Sequence, residues 1–204
     1  MQDEADLMER TEIGRPEGKT SHSGYAERYY EKARADRESL SASEYVAVVQ
    51  GFLREFVCMG QCNLYIASAK DPQIKEAIKV YLEDVCNPNI AEMKKILEDG
   101  GYMLPAPLEE ATSPDQVRDI DTNAINDRMI TISQWFGTRG FMTLWNNFAA
   151  MSQRTDVRDA FIRNYHRANR WHVAFNEMAI EKGHMMPLPT MDAKGLMRTT
   201  VMGG

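Results

Sequence analysis

No apolar run in this sequence approaches the ~18 residues that a transmembrane helix requires, so no membrane span is expected. Basic charge is also scarce. Lys and Arg number 24 against 30 Asp and Glu, a net charge of −6 at pH 7. A nucleic-acid partner demands a basic face, and none is offered here. Cysteine is rare and odd in number, with only Cys58, Cys62 and Cys86. That is too few for a disulfide framework in a chain of this size, and a reducing, cytoplasmic environment is the simplest reading. The opening stretch MQDEADLMERTEIGRPEGK is acidic and polar, without the apolar core of a secretory signal peptide. The sequence has no Gly-rich phosphate loop, Ser/His/Asp signature or flavin fingerprint, and therefore no motif that marks an enzyme.

What the chain has is helical periodicity. The first long helix is expected from about Ser43 to Ala69, with Ser41 and Ser43 as N-cap candidates and Glu44 in the first turn. Tyr45, Val49, Phe52, Phe56, Met59, Asn63 and Ile66 alternate spacings of four and three, which makes one seam. Val46, Leu53, Val57, Gly60 and Leu64 form a second apolar stripe on another face. A helix apolar on two faces is covered on two sides, so the second stripe is a candidate interface between copies of the chain. Tyr25, Tyr29 and Tyr30, at helical spacing in an otherwise polar stretch, are candidates to reinforce it.

The second helix runs from about Pro72 to Asp99, capped by Asp71 and closed by Gly100-Gly101. Pro88 predicts a kink or restart near Asn87–Asn89, and Asn89-Ile90-Ala91-Glu92 reads as a capping box. Residues 102–121 carry three prolines and form a long extended connection. The third helix is expected from about Thr122 to Arg154, where Gly137 and Gly140 invite close approach by a neighbouring helix. The fourth runs from about Asp156 to Lys182. High methionine content, 14 residues, is read as core filling.

Two halves of the chain look alike. Ile74-Lys75-Glu76-Ala77-Ile78 parallels Val157-Arg158-Asp159-Ala160-Phe161, and Leu97-Glu98-Asp99-Gly100 parallels Ile180-Glu181-Lys182-Gly183, both at an offset of 83 positions. Both halves end in Pro-x-Pro. Two helical hairpins related by a pseudo-twofold and joined by a long crossover predict an all-α protein, an antiparallel four-helix bundle of ferritin-like topology. The expected organisation is a flexible N-terminal arm over 1–40, the bundle over 41–190 and a flexible tail over 191–204.

A bundle of that topology raises the question of metal. Its di-iron form needs a carboxylate from each of two helices and Glu-x-x-His from each of the other two. Glu83 and His166 fall about 180° from their core faces at helical pitch. Glu55 and His172 remain as inward candidates, and the offset pairs them with Thr138 and Asn89. That set is short of anionic ligands for two ferrous ions, so no cofactor is expected. The alternative is an altered iron or manganese site around Glu55 and His172. The simpler reading is a buried histidine bonded to Glu55 or to Asn63, Asn147 or Asn164. Cys58-x-x-x-Cys62 places two thiols on adjacent turns, a spacing known in Cu(I) bundles, but a single pair plus Cys86 reads as buried structural cysteine.

Asp71-Pro72-Gln73-Ile74-Lys75, the Ile96–Gly101 ending with Pro105 beyond it, Thr155–Phe161, and Ile180-Glu181-Lys182-Gly183 with Pro187 carry a resemblance. Over about residues 41–190 the chain resembles uncharacterised ferritin-like proteins of spore-forming bacteria, related to the spore-coat protein F group. The resemblance implies the bundle fold and a coat or assembly role with spore association, and no established reaction. The function expected is structural: a self-associating homo-oligomer, with a ferritin-like metal-dependent oxidase or metal-binding protein as the alternative.

Overall fold

The computed structural model describes residues 23–35, 39–105, 121–191 and 197–198. The chain forms two units, Met1–Arg37 and Glu38–Gly204. In the first, α1 spans Ser23–Ala35, at the tyrosine-bearing patch. Tyr29 is exposed and Tyr30 half-buried.

Among its described residues the second unit is helical apart from a pair of two-residue strands. Helix α2 spans Ala42–Ser68, and its N-cap is Ser41, not Ser43. Ser41 Oγ accepts from Glu44 N at 3.3 Å, and Glu44 Oε2 accepts from Ser41 N at 2.8 Å, a reciprocal capping box. Helix α3, Pro72–Tyr81, starts on the Asp71 cap with proline in its first turn. A π-helical turn, Leu82–Cys86, follows, and α4 continues through Asn87–Asp99. Gly101 closes it in the left-handed conformation, φ +68°. After a 3₁₀ turn at Thr122–Ala124, α5 spans Asp127–Met151 and α6 spans Thr155–Glu181. The third helix thus begins later than its periodicity suggests, because Asn126 caps it through a bond to Met129 N. Strands β1 (Thr190–Met191) and β2 (Met197–Arg198) pair antiparallel, in a segment whose sequence holds no strand signal. Residues 106–120 of the proline-rich connection lie outside the described residues.

Helix α2 packs along α3 and α4, and α5 along α6; α2 also meets α5, and α4 meets α6. Trp145, fully buried, stacks on Phe141 and Phe161 and meets Phe148 edge-on. Gly51 of α2 lies beneath that indole: a Cβ there would stand 2.7 Å from the ring. Tyr81, Trp171 and Phe175 form a second aromatic group. Gly137 and Gly140 do not serve close helix approach, since nothing lies within 4 Å of a Cβ at either position. The tight contact between long helices is at Gly51, because the bulkiest core residue, Trp145, opposes it.

The two halves repeat each other's hydrogen bonds. Glu44 Oε1 accepts from Gln153 N and Arg154 N, each at 2.7 Å. Asp127, 83 positions after Glu44, accepts from Lys70 N at 2.9 Å and Asp71 N at 3.0 Å, the positions 83 before Gln153 and Arg154. Each carboxylate at the start of one helix ties down the turn between the two helices of the other half. At the far ends the offset becomes 82. Gly101 N bonds Glu98 O and Tyr102 N bonds Leu97 O, while Gly183 N bonds Ile180 O and His184 N bonds Ala179 O. Gly101 and Gly183 share φ +68°. The match of Gly100 with Gly183 expected from the sequence is therefore displaced by one residue, and the π turn is the inserted position.

The π turn also changes the expectation at Pro88. Backbone angles stay helical from Tyr81 through Asn87, and Asn87 N bonds back to Leu82 O, so the helix neither stops nor restarts. Proline has no N–H and its ring crowds the carbonyl one turn back; the widened turn just before it relieves that crowding. Asn89 is not a cap. Its side chain is buried and turned inward.

Two outcomes follow for stability. Gly51→Ala should destabilise the fold relative to Gly60→Ala by about 1–3 kcal/mol in urea denaturation, because the methyl collides with Trp145 whereas Gly60 faces open space. Equal stabilities would contradict the packing. Burial opposes ionisation of Glu44, but hydrogen bonds from Arg154, Ser41 and Gln153 outweigh it and hold the carboxyl below the ordinary glutamate value. Its contribution is full above the unfolded-state value and is lost as pH falls through the folded one. Glu44→Ala should cost about 3 kcal/mol at neutral pH and flatten the acid limb of the stability–pH curve.

Candidate functional site

Glu55, Cys58 and Cys62 stand at spacings of three and four on α2 and so share one face. Cys86 arrives from the last position of the π turn. The result is a buried cluster between helices. One ligand atom each from Glu55, Cys58 and Cys86 lies within 4.8 Å of the others. Cys58 and Cys86 Sγ are 3.7 Å apart, and Cys58 Sγ lies 3.8 Å from Tyr81 Oη. Gln134 of α5 donates to Cys62 Sγ at 3.2 Å. All three cysteines are free and buried, and the 3.7 Å separation is far from the ~2.05 Å of a disulfide.

The carboxylate is held from behind. Asn89 Nδ2 donates to Glu55 Oε1 at 2.6 Å. Asn89 Oδ1 accepts from Arg167 Nη1 at 3.0 Å, which fixes the amide's orientation. Arg167 also reaches Asn164 Oδ1 at 2.8 Å and Glu92 Oε1 at 2.7 Å, and Arg163 joins Glu92 at 3.2 Å. A polar chain thus runs from the α6 surface inward to Glu55. It ends there: Glu55 Oε2 is buried without a hydrogen-bond partner.

Burial pushes the Glu55 carboxyl well above the ordinary range, and the neighbouring Cys58 adds to it. Among the thiols, hydrogen bonds from Cys58 and Cys86 draw Cys62 down, with Gln134 adding to the effect, while Cys58 and Cys86, as the donors, are pushed up. Burial raises the Tyr81 phenol too. A buried acid and buried thiols pushed up in this way, Glu55, Cys58 and Cys86, are poor nucleophiles, but their donor atoms converge as metal ligands do.

The other candidates are dispersed. His172 is half-buried, stacks on Trp135 with ring centroids 5.6 Å apart, and its Nδ1 lies 3.1 Å from Trp135 O and 3.3 Å from Thr138 Oγ1. Glu55 and His172 are held by separate partners. Asn63 and Asn164 are buried, but Asn147 is exposed. The buried face of α5 runs through Thr138, Phe141, Trp145 and Phe148, and Asn147, two residues past Trp145, is rotated about 200° from it. Glu83 and His166 are exposed, as their helical phase predicts. On α2, Val46 and Val57 are exposed; Leu53, Gly60 and Leu64 are half-buried. The Tyr25 side chain lies outside the described residues. The convergence of Cys86 on Cys58 escaped sequence reasoning. Its only trace was the Cys58/Cys62 spacing, since a π turn has no periodicity of its own to detect.

Residues 30–196 match the family described as "Protein of unknown function (DUF3231)", and the chain belongs to that family. No curated protein matches the sequence. Among solved structures, a putative spore coat protein from Bacillus halodurans C-125 superposes with a TM-score of 0.64 at 18% identity, covering 76% of this chain and 96% of that one. The two share a fold. Among the described residues, no helix is long and apolar enough to cross a membrane.

The native protein should leave all three thiols unreactive to a bulky disulfide reagent such as DTNB, and unfolding in guanidinium should release all three. Prompt reaction of one or more in the folded state would contradict the burial.

Proposed function

We propose that the protein is a structural component of a spore-related assembly, a self-associating ferritin-like bundle of four long antiparallel helices with pseudo-twofold hairpins and a long crossover. The observation that carries this reading is the fold shared, over nearly the whole of that chain, with a spore coat protein candidate. The reciprocal Glu44 and Asp127 clamps support the pseudo-twofold, and the motif resemblance supports grouping with the spore-coat protein F proteins. The partner is a second copy of the chain. Val46 and Val57 stand 49% and 54% exposed on α2 beside half-buried Leu53, Gly60 and Leu64, a stripe that self-association would cover. The α1 tyrosines extend the same reading.

The oxidase alternative has less behind it. Around Glu55 and His172, a di-iron ligand set would need carboxylates where Asn89 and Thr138 stand, and His172 is already bonded to Thr138 and Trp135.

Light scattering tests the interface. The wild type should be oligomeric at micromolar concentration, and Val46→Glu and Val57→Glu should each shift it toward monomer without loss of helix content. Leu53→Glu should do the same but with some loss of stability, because Leu53 also packs on the core. A monomeric wild type, or an assembly indifferent to all three changes, would remove the main support for self-association.

A further inference from the structure

We propose that Glu55, Cys58 and Cys86, with Cys62 turning in from the next turn of α2 as the fourth ligand, form a binding site for a single thiophilic divalent ion of the zinc class. The inference is independent of the assembly role. It begins with Glu55. A carboxyl group at the centre of a helical protein is expensive to bury, and the usual remedy is to satisfy both oxygens. Here Oε1 is bonded to Asn89 and Oε2 has no partner, though Glu55 is fully buried. The donor atoms that converge with the Glu55 carboxylate are sulfurs: Cys58 and Cys86 supply theirs within 4.8 Å of a carboxylate oxygen and of each other, and Cys62 stands one helical turn along α2 from Cys58, on the same face.

The spacing suits an ion. Two sulfurs bound at ~2.3 Å with tetrahedral angles stand about 3.8 Å apart. Cys58 and Cys86 Sγ are 3.7 Å apart. Glu55, Cys58 and Cys86 therefore need little rearrangement to take an ion, Cys62 completes the set by a side-chain rotation, and the helices that carry them are already packed.

The donor set selects the metal. Three sulfurs and one oxygen disfavour magnesium, calcium and manganese, which take oxygen ligands. Cu(I) would take the sulfurs and leave the carboxylate idle. A tetrahedral zinc ion uses all four. The surroundings match what such ligands require around them. Asn89, fixed by Arg167, orients the carboxylate, and Gln134 donates to the Cys62 sulfur. Arg167 places positive charge behind an anionic ligand set. Because the ligands are buried, the ion enters as the chain folds or when the π turn opens locally, and binding releases the thiol protons, so affinity rises with pH.

The test uses the full-length, tag-free chain, unfolded and reduced in the presence of chelator, desalted, and refolded with zinc, cobalt(II) or copper(I) in separate arms. The expected result is about one zinc per chain by mass spectrometry of the metal, and a raised melting temperature, as for any ligand bound only by the folded state. The cobalt form should show thiolate charge-transfer and tetrahedral d–d absorption. The Cys58→Ser/Cys86→Ser double variant should lose the metal, and Glu55→Gln should weaken zinc at least about ten-fold in chelator competition. Circular dichroism checks that these variants fold; where one does not, wild-type stoichiometry and the cobalt spectrum decide. Three results would each overturn the assignment: zinc well below one per chain in folded wild type, an octahedral cobalt spectrum without thiolate bands, or uptake of copper(I) alone with Glu55→Gln unaffected.

Discussion

Pro88 sits inside a long helix that it cannot hydrogen-bond into, and much of the structure follows from how the helix accommodates it. The ring crowds the preceding turn and the missing N–H leaves a carbonyl unclaimed. The chain responds by widening one turn, Leu82–Cys86, rather than by breaking. That single inserted residue rotates everything downstream by roughly 100°. Ile74, Ile78 and Tyr81 face the core before it; Cys86, Asn89, Met93 and Leu97 face the core after it. Continued at ordinary α-helical phase, the apolar seam would reach Glu92 and Ile96 instead, and both are half-buried. The π turn thus brings a third thiol to the two on α2 and presents Asn89 to Glu55.

The polar groups enclosed in this way have consequences for stability. Glu55, Asn89, Asn164 and Thr138 are all essentially inaccessible. Arg167 reaches in from α6 to satisfy two of them and binds Glu92 on α4. A partly satisfied buried network is worth less than an apolar core of the same volume, so its presence contributes nothing obvious to folding. Its geometry instead concentrates a half-satisfied carboxylate and two sulfurs in one place, with a third sulfur one turn along α2. The aromatic core around Trp145 and the Glu44 and Asp127 clamps hold the helices around it.

Much of the architecture was legible from residue order. The caps at Ser41 and Asp71 and the glycine stop at Gly101 are local chemistry, decided within one helical turn, so the helix ends agree with the pattern to within a residue at most termini. The likeness of the two halves was legible as well, because the matched segments keep a common offset in the sequence. The failures share a cause. Asn147 as a partner for a buried histidine, and Gly137 and Gly140 as sites of close packing, both depend on which neighbour stands opposite, and the structure leaves Asn147 exposed and the two glycines open. Gly51, which lies under the Trp145 ring of another helix, carries no local mark of its role.

Residue order alone carries the all-α class, the ends of three of the four long helices, the likeness of the two halves and, among the described residues, the lack of a helix long and apolar enough to cross a membrane, because each is written in periodicity and capping at short range. Only the tertiary structure decided that the offset between the halves falls from 83 to 82 across the π turn, that Glu55 bonds Asn89 while His172 bonds Thr138, and that Cys86 joins Cys58. Helical phase after a proline depends on how many residues the preceding turn takes up, and that number is set by packing against neighbouring helices, which no local pattern encodes.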